Sequence, residues 1–292
     1  MSLLKTKLES GQFAVTAEMA PPKGCDFSHQ MHCAELIKGR VDAVNVTDFQ
    51  SASLKASSLG LCIKLKQAGL EPVLQMTGRD RSRMAIQGDL LSAAAFGIEN
   101  VLTLTGDHTT VGDCKNSKPV FDLDSVSMLT AAKQLEAGSD AGGNKLQGEP
   151  PVFFLGSSVT PEYEPLELHM YKYAKKVAEG AKFFQTQGVY SLEPFKRFMD
   201  YASKYDAYVL AGIIPLKSAG AARYMNKNVP GINVPDSIIQ RMKESSDPVK
   251  EGILIAAEMI SEIKAQGLCH GVHIMAIGAE ENVPLILDEA GL

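Results

Sequence analysis

The chain has no C-x-x-C pair, no apolar run of the roughly 18 residues a bilayer crossing needs, and no G-x-G-x-x-G turn after its first apolar segment. Each absence removes a class. Without paired cysteine spacings there is no zinc-ribbon or iron–sulfur signature. Five cysteines, an odd number in 292 residues, argue against a disulfide framework and for a reducing compartment. Without a long apolar run, no membrane insertion is expected. The first residues, MSLLKTKLESGQF, offer neither the apolar core nor the cleavage site of a signal peptide, so a cytoplasmic location is expected. Positive charge is not in excess: 29 Lys and Arg stand against 34 Asp and Glu, a net charge of −5 spread along the chain. That speaks against a nucleic-acid partner. No Pro/Gly/Ser linker divides the sequence, so residues 1–292 read as one domain.

What is present is alternation. Short apolar runs recur at Phe13–Ala17, Ala43–Val46, Pro72–Leu74, Val101–Leu104, Val152–Leu155, Phe183–Thr186, Ala207–Ala211 and Val272–Ala276. Helix-patterned sequence fills most of the gaps, one such helix being expected from Ser53 to Gly69, and several helices stop at glycine, as at Gly69, Gly97 and Gly180. Strand–helix alternation predicts a parallel sheet, and eight strands predict closure: an α/β protein, a (β/α)8 TIM barrel. Its chemistry would lie where strands end, at Glu18, Thr47, Gln75, Asp107, Ser157, Gln187, Lys217 and Gly278.

Glu18 stands before Pro21-Pro22, which cannot continue a ladder and so fixes its direction. A carboxyl partly desolvated at a barrel mouth suits a general acid; the plain alternative is a surface Glu. Asp107 follows Gly106 and would face the pocket or cap a turn. Gln187 can both donate and accept toward a heterocycle. Lys176 lies among Lys172, Lys175 and Lys182 and could meet a phosphate, or belong to a solvated basic face. Lys217 could serve as a Schiff-base lysine. Cys25, His29, His32 and Cys33 show i, i+4 pairs but match no known ligand spacing, so no metal is expected.

In order along the chain, Ala17-Glu18-Met19-Ala20-Pro21-Pro22, Val46-Thr47, Thr105-Gly106-Asp107, Lys176-Val177-Ala178-Glu179-Gly180-Ala181, Thr186-Gln187 and Gly212-Ile213-Ile214-Pro215 resemble blocks of the methylenetetrahydrofolate reductase family. The resemblance runs along nearly the whole chain and is to the short, barrel-only prokaryotic type. It implies flavin-dependent reduction of 5,10-methylene-tetrahydrofolate to 5-methyl-tetrahydrofolate. It makes Glu18 the general acid and Asp107 a second catalytic carboxylate. Gln187 and Met225 fall at substrate contacts. Thr47, Asp48, Gln75, Thr105, Gly106, Asp107, Asp122, Gly156, Lys175 and Lys176 fall at flavin contacts. The implied cofactor is FAD rather than FMN. NAD(P)H, or an electron-transfer partner subunit, would reduce it, and the chain would work as a homo-oligomer or hetero-complex. The sequence departs from the family at Gln75 for a histidine, Thr105 for an arginine, His169 for an aspartate, Lys172 for an asparagine, Met225 for an aromatic and Ala279 for an arginine. From the residues alone, a pterin-binding transferase, an aldolase using Lys217 and a non-catalytic barrel subunit stay open.

Overall fold

In a computed structural model, which describes residues 2–292, the apolar runs form eight parallel strands. They are β1 (Ala14–Met19), β2 (Ala43–Val46), β3 (Pro72–Thr77), β4 (Asn100–Leu104), β5 (Phe154–Val159), β6 (Phe183–Gly188), β7 (Tyr208–Ile213) and β8 (Gly271–Ile274). Each pairs with its sequence neighbour, and β8 returns to β1, with Thr16 opposite His273, so the sheet closes into a barrel. The helices are α1 (Leu3–Glu9), α2 (Ser28–Ile37), α3 (Ser58–Gln67), α4 (Arg83–Ala95), α5 (Ser125–Glu136), α6 (Leu166–Ala178), α7 (Leu192–Ala202), α8 (Ala219–Asn228), α9 (Asp236–Glu244), α10 (Pro248–Ala265) and α11 (Val283–Glu289). Side-chain oxygens of Ser2, Ser82, Asp124, Ser218 and Asp247 accept from the first free N–H groups of their helices.

Strand residues alternate between the helix layer and the barrel interior. The interior is layered. At the bottom, Ala14, Ala43, Val73, Leu102, Phe154, Phe183 and Leu210 pack together, and α1 closes this end by inserting Leu4 and Leu8. The added Cβ of any residue at Gly156 would lie 2.4 Å from the Phe183 ring, so only glycine admits that ring. Above lies a buried polar layer: Thr16, Asn45, Gln185 and His273. The mouth follows.

Several expected boundaries move: β3 runs on to Thr77 and β6 to Gly188, past the expected Leu74 and Thr186, and β8 stops at Ile274, short of Ala276. The fifth strand begins at Phe154, not Val152, because Pro150-Pro151 cannot donate to a ladder and Val152 is exposed. Gly156 and Ser157 therefore lie inside the strand rather than beyond it. The helix expected from Ser53 starts at Ser58, whose hydroxyl donates to the Val46 carbonyl at 2.8 Å. Before it comes a 3-10 turn, Gln50–Ala52, entered through left-handed Phe49.

Candidate active site

Glu18, Gln75, Leu102, Leu104, Ser158, Val159, Thr160, Gln185, Thr186, Gln187, His273 and Met275 line a cavity of about 170 Å³ at the C-terminal mouth of the barrel. Glu18 is the acidic group in this lining, and it is 9 % exposed. Gln50 Nε2 approaches its Oε1 at 3.3 Å, Gln75 Nε2 its Oε2 at 3.4 Å, and His273 Nε2 its Oε2 at 3.7 Å. These are long contacts, and they leave the carboxyl lone pairs accessible to a ligand.

The layer beneath orients the histidine. Asn45 and Gln185 exchange amide hydrogen bonds, Nδ2 to Oε1 at 2.5 Å and Nε2 to Oδ1 at 2.9 Å. That fixes the Gln185 amide, whose Nε2 also donates to Thr16 Oγ1 at 3.2 Å. The Thr16 hydroxyl lies 2.9 Å from His273 Nδ1 and 3.4 Å from the Val272 carbonyl. These contacts hold the ring with Nε2 toward Glu18, and the tautomer follows which of its two acceptors the Thr16 hydroxyl takes. A fully satisfied polar layer of this kind holds its members rigidly.

Gln187 lies on the rim, with its Oε1 accepting from the Gly188 N–H at 3.1 Å. A register shift in β6 accompanies it: Thr186 Oγ1 accepts from Gly212 N–H at 2.8 Å and donates to the Gln187 carbonyl. This is why both Thr186 and Gln187 reach the cavity, where strict alternation would turn one away.

A second cavity of about 130 Å³ adjoins the first through Ser158, Val159 and Thr160, and is completed by His169, Lys172, Tyr173 and Lys176. Lys176 is buried and donates to the Ser158 carbonyl at 2.6 Å. Burial, then the charge of Lys172, pushes its ammonium pKa down to about 7, against a smaller opposing pull from Asp124. Burial and the two lysines also lower the His169 pKa.

Other expected site residues lie elsewhere. Asp107 is exposed on the loop after β4 and lines neither cavity; its backbone carbonyl, not its carboxylate, accepts from Arg79 at 3.1 Å. The Asp48 carboxylate is consumed inside the protein, by Arg81 at 2.6 and 3.0 Å and by the Thr77 N–H and hydroxyl at 2.8 and 2.9 Å. Asp122 pairs with Arg83. Thr105 Oγ1 is hydrogen-bonded to Ser125. Gly156 packs on Phe183 in the interior. Lys175 is exposed, on the outer face of α6. Met225 sits on α8 in an apolar cluster with Tyr190, Ile214 and Ile232. Lys217 is exposed and donates to the Ile277 carbonyl at 2.6 Å. His273, Gln50 and Arg79 went unmarked in the sequence. For His273 the usable signal was an inward-facing β8 position opposite Thr16; for Gln50 and Arg79, both on loops, there was none.

Residues 3–291 match the family model described as Methylenetetrahydrofolate reductase. The chain belongs to the methylenetetrahydrofolate reductase family. A relative from Schizosaccharomyces pombe (strain 972 / ATCC 24843), "Methylenetetrahydrofolate reductase 2", is 27% identical over 262 residues, 85% of this chain. The chain spans 40% of that relative's length. Among solved structures, a 2,3-dimethylmalate lyase of the PEP mutase/isocitrate lyase superfamily superposes with TM-score 0.53 at 12% identity, covering 99% of this chain and 83% of that one. An oxaloacetate acetylhydrolase superposes with TM-score 0.53 at 9% identity, covering 100% and 88%. Those two likenesses show the barrel and nothing of its chemistry.

Methylenetetrahydrofolate reductases are generally flavin-dependent, and this mouth fits such a group. Thr47 Oγ1, at the end of β2, is buried without a hydrogen-bond partner among the described residues. Lys176 is a buried cation without a carboxylate ion pair among the described residues, beside a cavity of phosphate size. Gly106, at φ +87°, carries backbone close to Thr77 and Arg79 where a side chain would be strained.

Proposed function

We propose that this chain is a flavin-dependent reductase that converts 5,10-methylene-tetrahydrofolate to 5-methyl-tetrahydrofolate. The observation that carries the reading is the buried Glu18 carboxyl, flanked by Gln75 and Gln187 in one mouth cavity and backed by the oriented His273. Thr47, Gly106, Lys172 and Lys176 would hold the flavin, the lysines taking its phosphate; FAD is the form we propose. When bound, the flavin supplies hydride to the one-carbon unit.

Glu18 moves the proton. Its carboxyl O–H goes to N10 of the folate as the bond from N10 to the methylene carbon breaks, leaving an N5 iminium cation. The resulting carboxylate stays beside that cation and stabilises it. His273, with its proton on Nε2 in this proposal, and the Gln75 and Gln50 amides face the same oxygens and hold the charge. Gln187, which can donate and accept, orients the pterin edge. Leu102, Leu104, Val159 and Met275 keep water from the cation. An aldolase reading is not favoured, because Lys217 lies outside the cavity.

The test has two parts. The pure protein carries a yellow cofactor, identified as FAD or FMN by chromatography after release. Glu18→Gln then retains the cofactor and loses about 10²–10⁴-fold in methylene-tetrahydrofolate turnover. A colourless protein that also binds no added flavin, or an unimpaired Glu18→Gln enzyme, would refute the proposal.

A further inference from the structure

Four potential ligands meet on the rim, outside the folate cavity. His29 and Cys33 lie one turn apart on α2, and Glu280 and Glu281 lie on the 3-10 turn (Glu280–Asn282) that follows β8. One donor atom from each falls within 4.8 Å of all the others. Cys25 and His32, which share the sequence cluster with His29 and Cys33, are not part of this set. We propose that His29, Cys33, Glu280 and Glu281 form a zinc-binding site that clasps α2 to the turn after β8.

The donor set selects the metal. One thiolate, one imidazole and two carboxylates suit Zn²⁺, which takes sulfur, nitrogen and oxygen in a tetrahedron. A tetrahedral ion draws its ligand atoms to roughly 3.3–3.7 Å from one another, a contraction that small side-chain rotations supply. His29 Nε2 and Cys33 Sγ already stand at 3.7 Å. The spacing along α2 alone gives two ligands and no site; the other two arrive from some 250 residues away.

Charge supports the same conclusion. Glu280 is 6 % exposed and Cys33 1 %. Neither glutamate forms an ion pair with a lysine or arginine among the described residues. One Glu280 oxygen accepts from the Gly278 N–H at 3.1 Å, and among the described residues no lysine or arginine offsets its burial. A buried carboxylate without a cation is costly, and a divalent ion removes that cost. His29 and Glu281 are exposed, which gives the ion a way in.

The clasp has a place in the architecture. The segment before α2 leaves β1, which bears Glu18, and the 3-10 turn leaves β8, which bears His273. Zinc here would tie together the two loops above the seam where the barrel closes.

The test uses the full chain with its cofactor, stripped of metal by a chelator and titrated with Zn²⁺ and with Co²⁺. Expected are one zinc per chain with Kd below about 1 µM, a thiolate-to-cobalt charge-transfer band, and intense tetrahedral d–d bands. Zinc in hundredfold excess over Kd raises the melting temperature by about 5 °C. Cys33→Ser removes the charge-transfer band. Because Cys33 is buried, His29→Ala and Glu281→Gln, at exposed positions, provide the independent check: each weakens zinc binding at least tenfold while circular dichroism stays unchanged. Zinc binding weaker than about 10 µM, equal binding by wild type and His29→Ala, or a cobalt spectrum without the thiolate band would each overturn the site.

Discussion

His273 holds its place by a chain of hydrogen bonds that begins two strands away, and Glu18 depends on where that chain ends. His273→Phe keeps the ring and deletes the N–H that faces Glu18. Expected is a drop in turnover of about 10–100-fold, with the pH profile of turnover displaced. His273→Gln, which keeps a donor, recovers part of it. Rapid-mixing kinetics with methylene-tetrahydrofolate across pH make the measurement; a profile unchanged in His273→Phe would mean that the ring merely fills space. Lys176 supplies a second residue-scale prediction. Its folded pKa of about 7 lies below the ordinary 10.5, so between those values the unfolded chain holds more protons. The stability of the cofactor-free protein therefore rises with pH across that window. The affinity for a phosphate-bearing flavin runs the other way, since the ammonium it would meet is lost as pH climbs past about 7. Lys176→Met should flatten both trends, read by urea melts and by fluorescence titration of flavin at several pH values.

At the scale of elements, α1 is the plug of the barrel. Leu4 is wholly buried and Leu8 nearly so, and Ser2 both accepts from the Lys5 N–H at 3.0 Å and donates to Asn100 Oδ1 at 2.5 Å. Leu4→Ala should cost about 2–5 kcal/mol in a denaturant titration, because the rigid strands around it cannot collapse into the gap. The proposed acid lies two layers above, so turnover at low temperature should survive the change. This is also the scale at which sequence patterns worked best and failed most instructively. Periodicity located all eight strands and the long helices, since buried faces must repeat every two or 3.6 residues. It misplaced the start of β5, where an apolar valine follows two prolines and stays outside the ladder. It overextended α3, where serines favour turns over helix.

For the molecule as a whole, closure decides which residues meet. Glu18, Gln75 and Gln187 were legible as strand-end polar residues of a barrel, and they do share a cavity. Asp107 and Asp122 carry the same kind of signal and do not, because a loop residue's direction follows its hydrogen bonds and not its distance from a strand. The reductant is a question at this scale. Among the described residues no Phe, Tyr or Trp lines the mouth cavity, and Met225 lies in the α8 cluster. The aromatic ring in that lining is the His273 imidazole, so a nicotinamide finds no phenyl, phenol or indole face there to stack on. We expect NAD(P)H to reduce the flavin of the isolated chain slowly, and a small reduced dye or a partner subunit to reduce it fast. Anaerobic stopped-flow absorbance decides between them, and rapid reduction by NADH would count against a partner.

The sequence by itself determined the barrel, through alternating periods that admit one closed parallel sheet, and it determined which residue types stand at the strand ends. Only the tertiary structure decided that a histidine on the last strand would face a glutamate on the first, and that two glutamates near the C-terminus would join a histidine and a cysteine near the N-terminus. Both meetings occur across the seam where β8 returns to β1. Local periodicity sets the strands and their closure but not the register between them, so it does not say which side chains will face one another across the seam.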